Sequence, residues 1–351
     1  RRVQAGESMR TLAALLFLFV STANAAGPEY KIVTASERGT YIVLGRDLST
    51  HVAADAGFEL ESMPSAGSAE NVRRLRFEPG VKLAIVQSDV LQAFIDEANQ
   101  GNREAANLVR PLRVILPLYN EEIYFLVRAD SPLKFVHEIR DARINAGPIG
   151  SGTALTTVTL YRAMFKAELP VTATYQTNEA ALLALTSGST DVVAVVGGQP
   201  MKLLADMKPE AKTLVRLLEF DAGNAASRDV LKTYFAATVK QASYPNLLDA
   251  DLPAIAVKAF LVTYDYNLGQ TVGYLRRFAK TLCTNLASLQ KFGHPKWKEV
   301  ELALPDLGDG WAYYPATAQE IRRCERPRAA PVRAAPTCAP QELVLGLCAV
   351  N

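Results

Sequence analysis

The residues best suited to chemistry lie in a glycine-rich stretch, GPIGSGTALT, at positions 147–156. Gly150 and Gly152 allow a ligand to approach the main chain closely. Ser151 and Thr153 add hydroxyl donors beside them. The first amides of a helix lack partners within the helix and lie at the positive end of its dipole. Because an apolar run ends here and a helical pattern begins, the stretch predicts a site for the oxygen atoms of an anion, with a simple tight turn as the alternative.

Four other short segments share this small, polar character and follow predicted strands. They are SERGTY at 36–41, PSAGSAEN at 64–71, QSD at 87–89 and GGQP at 197–200. Ligands of parallel α/β sheets bind at the carboxyl ends of the strands. One helix terminus supplies only about 0.3–1 kcal/mol, whereas micromolar affinity requires about 8 kcal/mol. The segments therefore predict donors that converge from several loops, in a cleft between two lobes.

Nucleotide-binding and catalytic motifs do not match this sequence. A phosphate-binding loop requires Lys after its last glycine, but Thr153 follows Gly152. The dinucleotide fingerprint requires a third small residue where Leu155 stands. The sequence also lacks Gly-x-Ser-x-Gly, His-Glu-x-x-His and the spacing of metal ligands. It predicts a binding protein without cofactor or metal, rather than an enzyme.

Two charged features away from the glycines are interpreted as structural. The pair Glu121 and Glu122 follows Asn120 between two short strands and is predicted to be a solvated turn. Arg128 ends a strand and is predicted to form a structural ion pair, with a role as a ligand counter-ion as the alternative.

Short β-rich runs alternate with amphipathic helical patterns, which is typical of an α/β fold. At 351 residues the chain is long enough for two such units. Strands are predicted at residues 30–35, 58–63, 81–86, 114–118, 123–127, 143–146, 172–175, 192–196 and 254–262. The C-terminal third is predicted to be mostly helical.

Two α/β lobes joined by a hinge are the predicted architecture. Lobe 1 is discontinuous and comprises residues 26–117 and 225–324, and lobe 2 comprises residues 118–224. Residues 325–351 are rich in Pro, Ala and Arg and predict an extended tail, because such a composition cannot bury a core.

The N-terminus has the pattern of a secretory signal peptide. Arg10 precedes an apolar run at 12–20, and Ala23-Asn24-Ala25 has the small-x-small form of a cleavage site. Residues 1–25 are therefore predicted to be a signal peptide with an upstream extension. A membrane anchor is the alternative, but a span needs about 20 apolar residues. Cleavage removes three of 38 basic and one of 36 acidic residues, so the balanced charge does not favour nucleic acid.

Four cysteines lie late in the chain, and their even number in an exported protein predicts two disulfides. They are Cys283, Cys324, Cys338 and Cys348. The sequence leaves all three pairings open. A zinc site is less favoured, because no Cys-x-x-Cys is present and the histidines are dispersed.

Several motifs, in this order, resemble the TAXI family, the extracytoplasmic solute receptors of tripartite ATP-independent periplasmic (TRAP) transporters. They are RGTYIVLG at 38–45, SAGSAENVRRLR at 65–76, LAIVQSD at 83–89, YFLVRADSPLK at 124–134, AGPIGSGTALT at 146–156 and AVKAFLVT at 256–263. The resemblance extends from residue 30 to about residue 314. It implies a type II-like, two-lobed periplasmic-binding-protein fold, a periplasmic location and capture of an organic acid such as glutamate or 2-oxoglutarate. The receptor would deliver this acid to a membrane permease.

The resemblance also implies a set of pocket residues. They are Gly39, Thr40, Tyr41, Ser65, Gly67, Ser68, Asn71, Gln87, Ser88, Asp89, Gly150, Ser151, Gly152, Thr153, Gly197 and Gly198. The first loop departs from the family's glycine and threonine run, because it reads Ala35-Ser36-Glu37-Arg38. We expect Arg38 to pair with an anionic ligand, and Glu37 with an amino group or with Arg38. A sensory or adaptor protein that uses the same cleft, and the binding protein of an ATP-driven importer, are the alternative functions.

Overall fold

A mixed sheet of nine strands forms the framework of the computed structural model, which describes residues 27–307 and 310–325. The predicted signal peptide, most of the predicted tail, Cys338 and Cys348 lie outside the described residues. The strands are β1 (Glu29–Val33), β2 (Glu59–Met63), β3 (Val81–Gln87), β4 (Leu112–Arg128), β5 (Ile144–Asn145), β6 (Val192–Gly197), β7 (Val215–Leu217), β8 (Phe235–Val239) and β9 (Leu252–Tyr264). Their order is β2-β1-β3-β9-β4-β6-β5, while β7 pairs with β4 and β8 pairs with β9.

Ten α-helices of the described residues cover the sheet. They are α1 (Thr40–Leu48), α2 (Ser68–Phe77), α3 (Ser88–Asn99), α4 (Arg103–Val109), α5 (Gly152–Phe165), α6 (Asn178–Thr186), α7 (Lys202–Ala205), α8 (Ala225–Val230), α9 (Gly269–Phe292) and α10 (Pro315–Glu325). Shorter helical turns occur at Ser49–Ala53, Val136–Asp141, Pro209–Thr213, Gln241–Ser243 and Pro295–Glu299. Within the described ranges, every helix is too short or too polar to span a lipid bilayer.

Local sequence explains the central elements of the first lobe. The strand β3 reads VKLAIVQ and is almost wholly buried, as expected for a strand that is covered on both faces. In α3, the residues Val90, Leu91, Phe94 and Ile95 form one buried face. The strand β1 pairs in parallel with both β2 and β3, so the loops that follow β1 and β3 emerge at the same edge.

Two long antiparallel strands, β4 and β9, run through both lobes and connect them. Residues up to Tyr119 and from Ala259 onward belong to two hydrophobic clusters of lobe 1. Residues from Ile123 to Val257 belong to two clusters of lobe 2. The predicted α/β architecture with two lobes is confirmed.

The packing favours a different return point to lobe 1 from the one expected. Val230, Tyr234 and Val239 follow the expected boundary at residue 225, but they pack in the clusters of lobe 2. Since β9 leaves lobe 2 only after Val257, we place the return near residue 258.

The break between two predicted strands was wrong, and so was one further strand. The strands expected at 114–118 and 123–127 are one continuous strand, β4, because its polar centre remains paired: Glu121 lies opposite Val257, and Glu122 lies opposite Ala256. The strand expected at 172–175 is reduced to a single bridge between Thr174 and Asn145.

A disulfide joins the last two helices of the described chain. Cys283 of α9 and Cys324 of α10 are bonded, with an S–S distance of 2.05 Å. This pairing, which the sequence left open, ties α10 to the long helix that covers the core of lobe 1.

Candidate functional site

A narrow cavity of about 60 Å³ lies between the lobes, where loops that leave the strands enter helices. Lobe 1 contributes the starts of α1 and α2 and the end of β3, and lobe 2 contributes the starts of α5 and α6 and the end of β6. The lining residues are Ala35, Ser36, Gly39, Thr40, Tyr41, Ala66, Gly67, Ser68, Gln87, Glu121, Pro148, Ser151, Gly152, Thr153, Asn178, Val196, Gly197 and Met201. Many of these residues were expected from the sequence.

Helix N-termini from both lobes meet at this cavity. The residues before α1 and α2 are Gly39 and Gly67, and neither has a side chain that caps the first turn. Gln87 precedes α3 and likewise makes no capping hydrogen bond. In α5, by contrast, Ser151 Oγ accepts from the amide of Ala154 at 3.0 Å. The amide of Glu70 in α2 already donates to the carbonyl oxygen of Gly150, and the amide of Val90 in α3 donates to Asp89 Oδ1. The remaining first-turn amides of α1 and α2 are the ones available to a ligand in the cleft.

Two glycines permit the closest approach of the lobes. Gly67 has a φ of +131°, and a Cβ there would lie 3.2 Å from the amide nitrogen of Gly152. A Cβ on Gly152 would lie 1.4 Å from Gln87 Oε1 in the opposite lobe. A Cβ at this position would require the Gln87 side chain to move, so glycine allows the closed arrangement of the lobes with Gln87 in its present place.

Hydrogen bonds between the lobes hold the cleft closed. Thr40 Oγ1 donates to the carbonyl oxygen of Gly198 at 2.6 Å, and the amide of Glu70 donates to the carbonyl oxygen of Gly150 at 3.0 Å. Gly150 and Gly198 were expected to touch the ligand, but the structure places both in these inter-lobe contacts, outside the cavity lining.

Asp89 forms further inter-lobe contacts. Its Oδ2 accepts from Thr156 Oγ1 at 2.6 Å and from the Tyr234 hydroxyl at 3.0 Å, both from lobe 2. Burial raises the pKa of Asp89, and the hydrogen bonds from Thr156 and Tyr234 oppose that rise. Asp89 and the adjacent Ser88 were expected to line the ligand pocket. In the structure they border a separate groove and do not line the cavity.

Ser65 and Asn71 stabilise the loops of the site without lining the cavity. Ser65 Oγ donates to Asn71 Oδ1 at 2.6 Å. The buried Asn71 donates from Nδ2 to the carbonyl oxygens of Thr34 and Ile85, at the ends of β1 and β3. Both residues fix the strand ends that carry the loops, and neither lines the cavity.

Arg38 also lies outside the cavity lining. Its guanidinium reaches Asp206 Oδ2 at 3.3 Å, and both side chains are 40% exposed. Glu37 pairs with Arg46 at 2.9 Å, and no contact with Arg38 is present among the described residues. The charged side chains of Glu37 and Arg38 thus form exposed ion pairs and do not line the cavity.

The expectation of a solvated turn at Glu121 and Glu122 was wrong, because the continuous strand β4 buries both side chains. Glu121 lines the cavity, and its Oε2 accepts from the Tyr41 hydroxyl at 2.6 Å. Burial raises the pKa of Glu121 to about 8. Glu122 instead accepts from Lys296 Nζ at 2.7 Å and from the amide of Gln199 at 2.9 Å.

Asn178 is a second polar lining residue that sequence reasoning missed. It is the first residue of α6, and its Oδ1 is buried without a hydrogen-bond partner among the described atoms. Thr177 caps this helix by accepting from the amide of Ala180. The sequence QTNEA has the form of a helix start, so the same logic that found the other loops would have found this one.

The surroundings of Arg128 agree with the structural interpretation. Its Nε donates to Asp130 Oδ1 at 3.0 Å, and Arg128 is not among the residues that line the cavity. Within the part of the chain that the structure describes, no group of three His, Cys, Asp or Glu side chains is arranged to hold a metal ion.

Two α/β lobes closed on a cleft are the class of architecture that the fold and the site define. The chain belongs to the NMT1-like family, whose model matches residues 32–309. No curated protein sequence is significantly similar to the chain.

Solved structures similar to the chain include a periplasmic transporter, with a TM-score of 0.49 and 11% identity, covering 85% of this chain and 93% of that one. The periplasmic binding protein BugD has a TM-score of 0.46 and 12% identity, with coverages of 85% and 94%. A TctC solute-binding protein from Polaromonas has a TM-score of 0.43 and 16% identity, with coverages of 86% and 96%.

Proposed function

We propose that this protein is a periplasmic receptor that encloses a small organic anion between its lobes and releases it unchanged. One observation carries the proposal: uncapped helix N-termini face a common cavity whose described lining contains no Lys or Arg. Main-chain amides are then the principal positive groups available to a ligand. Such a site suits a carboxylate, which accepts hydrogen bonds from several amides at once.

The energetics require both lobes. A hydrogen bond to a charged group contributes about 1.5–3 kcal/mol, and micromolar binding needs about 8 kcal/mol before the cost of association. Three to five donors are therefore needed. Since Thr40 and Ser68 belong to lobe 1, whereas Gly152 belongs to lobe 2, a ligand held by all of them favours the closed state.

The proposed ligand-binding residues are the expected ones that line the cavity, together with two that the structure added. They are Gly39, Thr40, Tyr41, Gly67, Ser68, Gln87, Ser151, Gly152, Thr153 and Gly197, with Glu121 and Asn178. A compact acid of the size of glutamate or 2-oxoglutarate is the proposed solute.

We propose delivery of the solute to a TRAP-type membrane permease. The support is the order of the TAXI-like motifs along the sequence. A periplasmic location is supported by the signal-peptide pattern and by the bond between Cys283 and Cys324, since disulfides persist in oxidising compartments.

A thermal-shift panel on the purified chain tests the proposal. The panel contains small keto acids, hydroxy acids, dicarboxylic acids and amino acids, each beside its uncharged amide as control. At least one acid is expected to raise the melting temperature while its amide does not, and calorimetry then gives the affinity. A panel in which no acid stabilises the protein, or conversion of the bound acid into a product, contradicts the proposal.

A further inference from the structure

Glu121 is the one carboxyl group in the described lining of a cleft that we propose to receive an anion. Its side chain is 2% exposed. The Tyr41 hydroxyl donates to Oε2 at 2.6 Å, which fixes the orientation of the carboxyl group. An ionised carboxylate at this position would repel the carboxylate of the solute at short range, in surroundings that screen charge poorly. The cleft therefore requires an explanation for Glu121.

We propose that Glu121 remains protonated in the closed cleft and donates its O–H to an acceptor oxygen of the bound anion, which makes solute binding dependent on a proton. This inference rests on the proposed function and adds a residue that selects the ligand. A neutral carboxyl group has one carbonyl oxygen and one O–H. The carbonyl oxygen accepts from Tyr41, and the O–H is left for the solute.

The charged groups around Glu121 favour the neutral form. Burial is the largest influence and raises its pKa to about 8. The carboxylates of Glu122, on the same strand, and of Asp89, at the start of α3, raise it further, whereas the hydrogen bond from Tyr41 lowers it. The nearby cation Lys296 lowers the pKa only weakly, since its ammonium is bonded to both Glu122 and Glu299 at 2.7 Å.

The inference predicts the direction in which the affinity for the anion changes with pH. Below about pH 8 Glu121 is protonated in the closed cleft, and the anion binds without repulsion. Above that pH a proton must be taken up for each anion bound. The affinity then falls by up to tenfold for each pH unit. An amino acid whose ammonium faced Glu121 would show the opposite dependence, because it would bind best to the ionised group.

Calorimetry with 2-oxoglutarate, and with L-glutamate as its amino counterpart, tests the inference on the full chain. For the wild type, the dissociation constant for 2-oxoglutarate is expected to be constant from pH 6 to 7 and to rise about tenfold between pH 7 and 9. Glu121→Gln keeps an N–H donor and an acceptor for Tyr41 but cannot titrate. Its dissociation constant is expected to remain flat from pH 6 to pH 9, whatever its value at pH 7.

Glu179→Gln is the matched control, because Glu179 is exposed and adjoins the lining residue Asn178. Its pH profile is expected to follow that of the wild type. A Glu121→Gln variant whose affinity for 2-oxoglutarate still falls above pH 8, or a wild type that binds L-glutamate better as the pH rises, overturns the inference. If Glu121→Gln fails to fold, the wild type alone tests the inference. Calorimetry at pH 9 in buffers of different ionisation enthalpy measures the protons taken up on binding, and nearly one proton per bound 2-oxoglutarate is expected.

A measurement without ligand separates this inference from the proposed function. Carboxyl ¹³C NMR on protein labelled only at glutamate is expected to show one resonance with a midpoint near pH 8, against an ordinary value of about 4.3. A highest midpoint below pH 6, together with binding of an acid, overturns only the role of Glu121. A midpoint near pH 8 with no acid bound overturns the proposed function instead.

Discussion

Individual polar residues behind the cleft determine whether its loops are held in place. Asn71 is fully buried and donates to the main-chain carbonyls of Thr34 and Ile85. These carbonyl groups lie at the ends of the neighbouring strands β1 and β3, and the loops that follow these two strands lead to the cavity. A single side chain therefore positions two loops without touching the cavity.

Replacement of Asn71 by Ala tests this supporting role. The variant leaves two buried carbonyls without their donor, at a cost of about 1–3 kcal/mol each. We expect the free energy of unfolding in urea to fall by about 2 kcal/mol or more. Asn107→Ala, on the exposed side of α4, is the control and should change it by less than about 0.5 kcal/mol. Equal stability of the two variants would exclude a supporting role for Asn71.

Arg38 and Thr40 provide a contrast between an exposed and a buried contact across the cleft. The ion pair from Arg38 to Asp206 is exposed, and such pairs contribute about 0–1 kcal/mol. The hydroxyl of Thr40 is buried against the carbonyl oxygen of Gly198. We expect Arg38→Ala to change solute affinity less than about threefold and Thr40→Val to weaken it at least tenfold, as measured by calorimetry. A change of ligand preference in Arg38→Ala would restore Arg38 as a ligand contact.

At the level of elements, α9 and α10 depend on one covalent link for part of their stability. The disulfide closes a loop between positions 41 residues apart, and bonds of this kind contribute about 2–4 kcal/mol. The double variant Cys283→Ser with Cys324→Ser is therefore expected to unfold at lower urea concentration, with a loss in that range. The double variant Cys338→Ser with Cys348→Ser is the control. Unchanged stability without the first pair would show that packing alone fixes α10.

At the level of the whole molecule, closure of the lobes depends on the glycine at the start of α5. A Cβ on Gly152 would overlap Gln87 Oε1, and Ser68 Oγ would lie only 2.8 Å from it. Gly152 lies in the first turn of its helix with an ordinary φ, so Ala costs nothing within lobe 2. The conflict exists only when the lobes are closed.

Gly152→Ala should therefore weaken solute binding at least tenfold, because the closed arrangement then requires the Gln87 side chain to move. Small-angle scattering with saturating solute is expected to give a larger radius of gyration for this variant than for the wild type. Gly269→Ala, with open space around its Cβ at the start of α9, is the matched control. Normal affinity in Gly152→Ala would mean that the bound state does not need this contact.

The sequence by itself determined the two α/β units and the small, polar, glycine-bearing loops before α1 and α2. These features depend on local properties, namely the period of apolar residues and the conformational freedom of glycine. Such properties are read over a few consecutive residues, without knowledge of distant partners.

Only the tertiary structure decided what Glu121, Asp89 and Asn71 do. Glu121 belongs to a polar stretch that locally has the composition of a turn, but pairing of β4 with β9 about 136 residues later buries it. Asp89 meets Thr156 and Tyr234, which come from the other lobe. Burial and the distances between charges depend on residues that are far apart in the chain. These two quantities determine whether a carboxyl group lies in a solvated turn, forms hydrogen bonds between the lobes as Asp89 does, or donates to a ligand as we propose for Glu121.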